Sequence, residues 1–142
     1  MACCRIFTAV HAVVFAGFLT AWTIALLSPV PHQSAERVLG GPLQVFLFGK
    51  GLHISAYAFL AVLGATLPWR GWKWTWVLVG LVAHGAVTEF FQQFVGRGAS
   101  VRDVGLDAIG VTVGGLLVWA WRSRRSARGR QEPPPGDERP AG

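Results

Sequence analysis

Between residues 6 and 28 the chain carries no Asp, Glu, Lys or Arg, and three further runs, 52–69, 74–95 and 104–121, are nearly as bare of charge. A hydrocarbon core about 30 Å thick takes roughly 20 helical residues rising about 1.5 Å each, so each run reads as a transmembrane helix. The runs lack the polar and apolar alternation of a barrel wall and are longer than a barrel strand needs. Composition points the same way: 52% of the 142 residues are hydrophobic and 14% charged, with a mean hydropathy of +0.43, too oily for an ordinary soluble domain. The expected fold is all-α, a polytopic membrane protein with four transmembrane helices in a small bundle.

Flanking charge orients the bundle. With four spans, Arg5, Arg70, Lys73, Arg122, Arg124, Arg125, Arg128, Arg130 and Arg139 share one side, and Arg37, Lys50, Arg97 and Arg102 the other. The larger set marks the cytoplasm, which puts both termini there. Trp69, Trp72, Trp74, Trp76, Trp119 and Trp121 flank that same interface, where amphipathic rings prefer to lie. The first run is longer than a signal-peptide core and "SPVPHQSA" after it offers no clear small-x-small cleavage site, so it is read as a retained span. Residues 122–142, "RSRRSARGRQEPPPGDERPAG", are rich in Pro, Gly and charge without periodicity, and are expected to form a disordered cytoplasmic tail. Its arginines suit topology and anionic membrane lipids, not nucleic acid. Cys3 and Cys4, with no other Cys in the chain, are read as reduced thiols. No Walker loop, GxGxxG or CxxC is present, and no cofactor is expected.

Ionisable residues inside the spans are costly, about 2.5–3.5 kcal/mol for an ionised carboxylate at mid-span, so they face a bundle interior and mark functional sites by default. Here they fall on three stripes near one end. Lys50, His53 and Tyr57 recur at i, i+3, i+7 on the second span; Glu89 recurs with Gln92 or Gln93 on the third; Asp103, Asp107, Gly110 and Gly114 recur at i, i+4, i+7, i+11 on the fourth. The stripes are expected to converge on an outward-opening polar pocket, with Glu89 and Asp107 paired to Lys50, Arg97 or Arg102. Gly110 and Gly114 let two helix backbones approach closely. Ser100 is placed to cap the fourth helix, with Asp103 at its positive N-terminus. His53 has no second histidine at ligand spacing, so no metal is expected. His11 and His84, away from the stripes, read as hydrogen-bonding residues of the bundle, and Tyr57 as packing with its hydroxyl satisfied.

"KGLHISAYAFLAVL" from Lys50, "EFFQQF" from Glu89 and "GRGASVRDVGLDAIGVTVGG" from Gly96 together resemble the VanZ-like family of small bacterial membrane proteins. The shared pattern is KxxHxxxY on one helix, ExxQ on a later one, then R, S and D followed by Asn or Asp and glycines. It covers the second span to the fourth. The resemblance implies a multi-span bacterial integral membrane protein and, through the founding member, a link to resistance to the glycopeptide teicoplanin. Carried over residue by residue, it implies polar site positions at Lys50, His53, Tyr57, Glu89, Gln92, Arg97, Asp103, Asp107 and Gly110. Two departures stand out: Asp107 occupies a position where Asn is common, and the connection from Gln92 to Arg97 is about one residue short, leaving Gln92 and Gln93 both open.

The reading that joins these observations is an extracytoplasmic site for a cell-envelope or lipid-linked molecule, with Lys50 and Arg97 on phosphate or carboxylate and Glu89, Asp103 and Asp107 orienting them. Arg suits such groups because its planar fork matches them. Two rivals stand beside it: a membrane enzyme using Glu89 and a neighbouring base on a lipid-linked precursor, and a non-catalytic assembly partner whose polar network holds helices together. Neither the ligand nor the oligomeric state is written in the sequence.

Overall fold

The computed structural model describes residues 2–28, 38–69, 71–95 and 100–129. Four helices account for most of them: α1, Ala2–Leu27; α2, Pro42–Thr66; α3, Trp74–Gln92, continued by a 3-10 turn at Gln93–Val95; and α4, Val101–Gly129. There is no strand among the described residues. All four helices are long and apolar enough to cross a membrane. The chain is therefore a multi-pass membrane protein, and its outer surface fits association with membrane lipids: Phe7, Val13, Ile24, Phe46, Val87 and Leu117 are among many large apolar side chains left exposed.

Two boundaries differ from the sequence reading. The second helix starts at Pro42, ahead of the expected 52, because Gly40 and Gly41, both with φ in the left-handed region, end the preceding turn and Pro42 begins the helix. Proline suits that first position, where its missing N–H breaks no helical bond. Lys50 consequently lies about two turns inside the helix instead of at its mouth. The fourth helix continues through Arg122–Arg128 to Gly129, so the front of the expected disordered tail is helical. Arg and Ala are strong helix formers, and cations complement the negative C-terminal end. Residues 130–142, the remainder of the expected tail, lie outside the described residues, as do Arg37, Arg70 and Arg97.

The chain runs up and down. His11 near the start of α1 approaches Thr66 at the end of α2, Nε2 to Oγ1 3.5 Å, so these two are antiparallel. Phe15 of α1 and Val77 of α3 both press on Gly64, where an added Cβ would sit 3.0 Å from the first and 2.6 Å from the second. The most extensive contact joins α2 and α4, which run parallel: Gly110 packs on the Ile54 carbonyl and Gly114 on the Ala58 carbonyl. Lipid tails are as apolar as Leu, so association here rests on close packing and hydrogen bonds, and glycines supply the closeness. Leu26, Tyr57, Leu60, Ala61, Leu81 and Val111 form the buried core at the middle of the bundle.

Both ends are tied by polar groups. At the basic end Arg122 Nη2 donates to the Ala65 carbonyl at 2.6 Å, and Trp69 Nε1 donates to the Gly64 carbonyl at 2.8 Å. Both carbonyls lie in the last turn of α2, where regular helical bonding ends; that of Gly64 also accepts the Leu67 N–H at 3.4 Å. Arg122, expected in the tail, is thus a cap for a neighbouring helix.

Candidate functional site

The other end gathers nearly all the intramembrane ionisable residues. Lys50, His53 and Tyr57 on α2 face Asp103 and Asp107 on α4, as their spacing requires. Lys50 forms an ion pair with Asp103, and His53 Nδ1 donates to Asp107 Oδ1 at 2.8 Å. Asp107 is 1% exposed. Its second oxygen lies against Gly85 of α3, where a Cβ would come within 2.7 Å. A single carboxylate therefore sits between two helices, and only glycine at 85 leaves it room.

Glu89 and Gln92 on α3 complete the cluster, both 4% exposed. Glu89 Oε1 accepts the backbone N–H of Ser100, the residue immediately before α4. That places a carboxylate at the positive end of α4, with Asp103 in the same first turn. Ser100 joins the helix start through its own carbonyl, which accepts the Asp103 N–H at 2.8 Å. Gln92 faces the bundle, whereas Gln93 is exposed and donates to the Phe90 carbonyl at 2.7 Å. The choice between the two glutamines thus falls on Gln92.

Partner choice corrects the sequence reading in two places. Asp107 pairs with His53 and Glu89 with a backbone amide, not with Lys50 or Arg102. Arg102 is exposed and makes no ion pair among the described residues, and Arg97 lies outside them. Among the described residues the polar side chains meet one another directly, and the largest cavity described, about 790 Å³, is an apolar seam between α3 and α4.

His84 was expected to stand apart from the stripes, yet it joins them. Thr23 Oγ1 donates its one proton to the Leu19 carbonyl at 2.7 Å, so towards His84 Nε2, 2.9 Å away, it accepts. His84 Nε2 consequently carries the proton, and Nδ1 accepts from the Tyr57 hydroxyl at 3.0 Å. This relay threads α2, α3 and α1. Trp22 of α1 adds its ring edge-on to His53 and Tyr57, with centroids 5.7 and 6.3 Å away. His84, Thr88 and Gln92 recur at i, i+4, i+8 on α3, and that spacing was the signal for the buried stripe. Thr23 and Trp22 carry no comparable mark, because α1 holds no charge after Arg5 to draw the eye.

Among the described residues two buried donors remain without a hydrogen-bond acceptor: Gln92 Nε2 and Trp22 Nε1. No three His, Cys, Asp or Glu side chains among the described residues come together as a metal site. What the arrangement offers chemically is a fixed ammonium, a histidine oriented by a buried carboxylate, and unspent N–H donors. Comparison of the chain with family models, with curated proteins and with solved structures found no match.

Proposed function

We propose that this is a VanZ-like protein of the bacterial inner membrane, with cytoplasmic termini, whose polar end binds an oxygen-rich headgroup of a cell-envelope or lipid-linked molecule. The observation that carries the proposal is Gln92: its amide is buried, sits in the polar cluster, belongs to the ExxQ pattern, and presents a donor that nothing among the described residues accepts. An unmet buried donor costs about 1–3 kcal/mol, a cost that a ligand phosphate, carboxylate or hydroxyl oxygen removes. Lys50, held by Asp103 and 27% exposed, supplies positive charge at the same end of the bundle. The VanZ-like resemblance extends the proposal to glycopeptide resistance in the bacterium that makes the protein.

Mass spectrometry of envelope lipids carried by the gently extracted protein tests this reading. Wild type should retain a phosphate- or sugar-bearing lipid, and Gln92→Leu should retain roughly ten- to a hundredfold less, the worth of a hydrogen bond to a charged acceptor. The variant should melt no lower than wild type, since it loses an unmet donor and no bond. Equal retention of one lipid by both proteins defeats the proposal.

One observation favours the catalytic alternative. Asp107 fixes the ring of His53 through Nδ1, leaving Nε2 for acid or base work. Turnover of an undecaprenyl-linked precursor by the purified protein, abolished in His53→Gln, would establish it.

A further inference from the structure

The seam between α3 and α4 is the largest cavity described, and it lies away from the polar cluster. We propose that it holds one acyl chain of an anionic phospholipid whose phosphate is bound at Arg122. Trp74, Leu78, Val82 and Ala86 of α3 face Gly115 and Trp119 of α4 across a trough of about 790 Å³. Its α3 wall, from Trp74 to Ala86, rises about 18 Å at the helical repeat. One leaflet of a hydrocarbon core about 30 Å thick is about 15 Å deep, so the trough matches a single acyl chain running inward from the basic interface. The wall between its ends is apolar, and the Thr112 hydroxyl there donates to its own helix, to the Ala108 carbonyl at 2.7 Å. Hydrocarbon is the chemistry that fits.

The mouth of the trough is different. Trp74 lines it and also lies under the Arg122 guanidinium, 5.4 Å from Cζ to ring centroid. One nitrogen of Arg122 is held by the Ala65 carbonyl, and a guanidinium has five N–H donors, so donors remain for phosphate oxygens. Lys73, exposed, directly precedes Trp74. Among the described residues every carboxylate, Glu89, Asp103 and Asp107, belongs to the opposite end, so no described carboxylate neutralises these cations. Charge also argues against a second copy as occupant: a parallel pair meeting at this seam would bring Arg122, Arg124, Arg125 and Arg128 of both chains to one side of the membrane, where they repel.

The test is native mass spectrometry of the full chain in mild detergent, offered phosphatidylglycerol and phosphatidylcholine with identical acyl chains in equal amounts. Wild type should bind one phosphatidylglycerol per protomer in clear preference. Arg122→Gln and Lys73→Gln should each lower that preference by about fivefold, the worth of one cation at a membrane surface. The double variant Ala83→Leu/Ala86→Leu, which fills the trough and leaves the cations in place, should bind neither lipid tightly. Equal binding of the two lipids by wild type overturns the proposal, as does a phosphatidylglycerol preference that survives filling of the trough. A wild-type dimer that the filled variant loses assigns the seam to a second copy instead.

Discussion

Asp107 is the residue on which most of the polar cluster turns, because one carboxylate touches α2 through His53 and α3 through Gly85. Asparagine keeps the shape and an oxygen for the His53 N–H, and Asn is common at this position in the pattern the chain resembles. Asp107→Asn should therefore lower unfolding stability by no more than about 1 kcal/mol, the net worth of a typical hydrogen bond. Asp107→Leu strands the His53 N–H and should cost about 1–3 kcal/mol. Thermal unfolding in detergent, followed by circular dichroism, separates the two, and equal losses would show that the His53 contact carries no weight. The Lys50 pair allows a second test by exchange. Its partner is Asp103, so Lys50→Asp with Asp103→Lys should recover most of the stability that either substitution alone removes, and Lys50→Asp with Asp107→Lys should not.

Helix by helix, α2 and α4 form the rigid half of the bundle, since glycine lets their backbones touch. A methyl at Gly110 or Gly114 would run into the Ile54 or Ala58 carbonyl, which is backbone and has nowhere to go. Gly105, on the same helix, has open space around it. Gly110→Ala and Gly114→Ala should each destabilise by about 1–3 kcal/mol, the usual range for overpacking. Gly105→Ala should stabilise by about 0.5–1 kcal/mol through helix propensity alone. The same denaturation assay ranks all three, and a loss at Gly105 equal to that at Gly110 would mean that packing is not what the glycines serve. These stripes were legible in sequence because charge and glycine at three- and four-residue intervals must share a helix face. Which member meets which was not legible, because pairing depends on the axial offset of two helices. That offset sets Lys50 against Asp103 and His53 against Asp107. The start of α2 was hidden by Gly49, Lys50 and Gly51, which read as a break before the apolar run although the helix passes through them. Arginine-rich composition likewise disguised the last turns of α4 as tail.

Across the described residues, acidic and basic groups are segregated by the thickness of the membrane: the carboxylates gather where α3 ends and α4 begins, and Lys73, Arg122, Arg124, Arg125 and Arg128 gather at the other end. The proposed orientation, with the second group in the cytoplasm by the positive-inside rule, decides what each end can meet. A polar cluster on the outer side meets envelope precursors after export; on the inner side it would meet only cytoplasmic headgroups. Phosphatase fusions distinguish these cases because the enzyme is active only outside the cytoplasm, and a fluorescent-protein fusion at the end of the chain reports the converse. Alkaline phosphatase joined after Val95, with α1 to α3 intact, should be active. The same enzyme joined after Gly129 should be inactive, and green fluorescence there should be retained. The reverse pattern would remove the extracytoplasmic ligand from consideration. It would leave the lipid seam standing, because the trough and its cations stay together on whichever side the arginines lie. The two sites therefore depend on orientation differently: the polar end needs the outer face for its proposed ligand, whereas the basic end needs only a leaflet that contains anionic lipid.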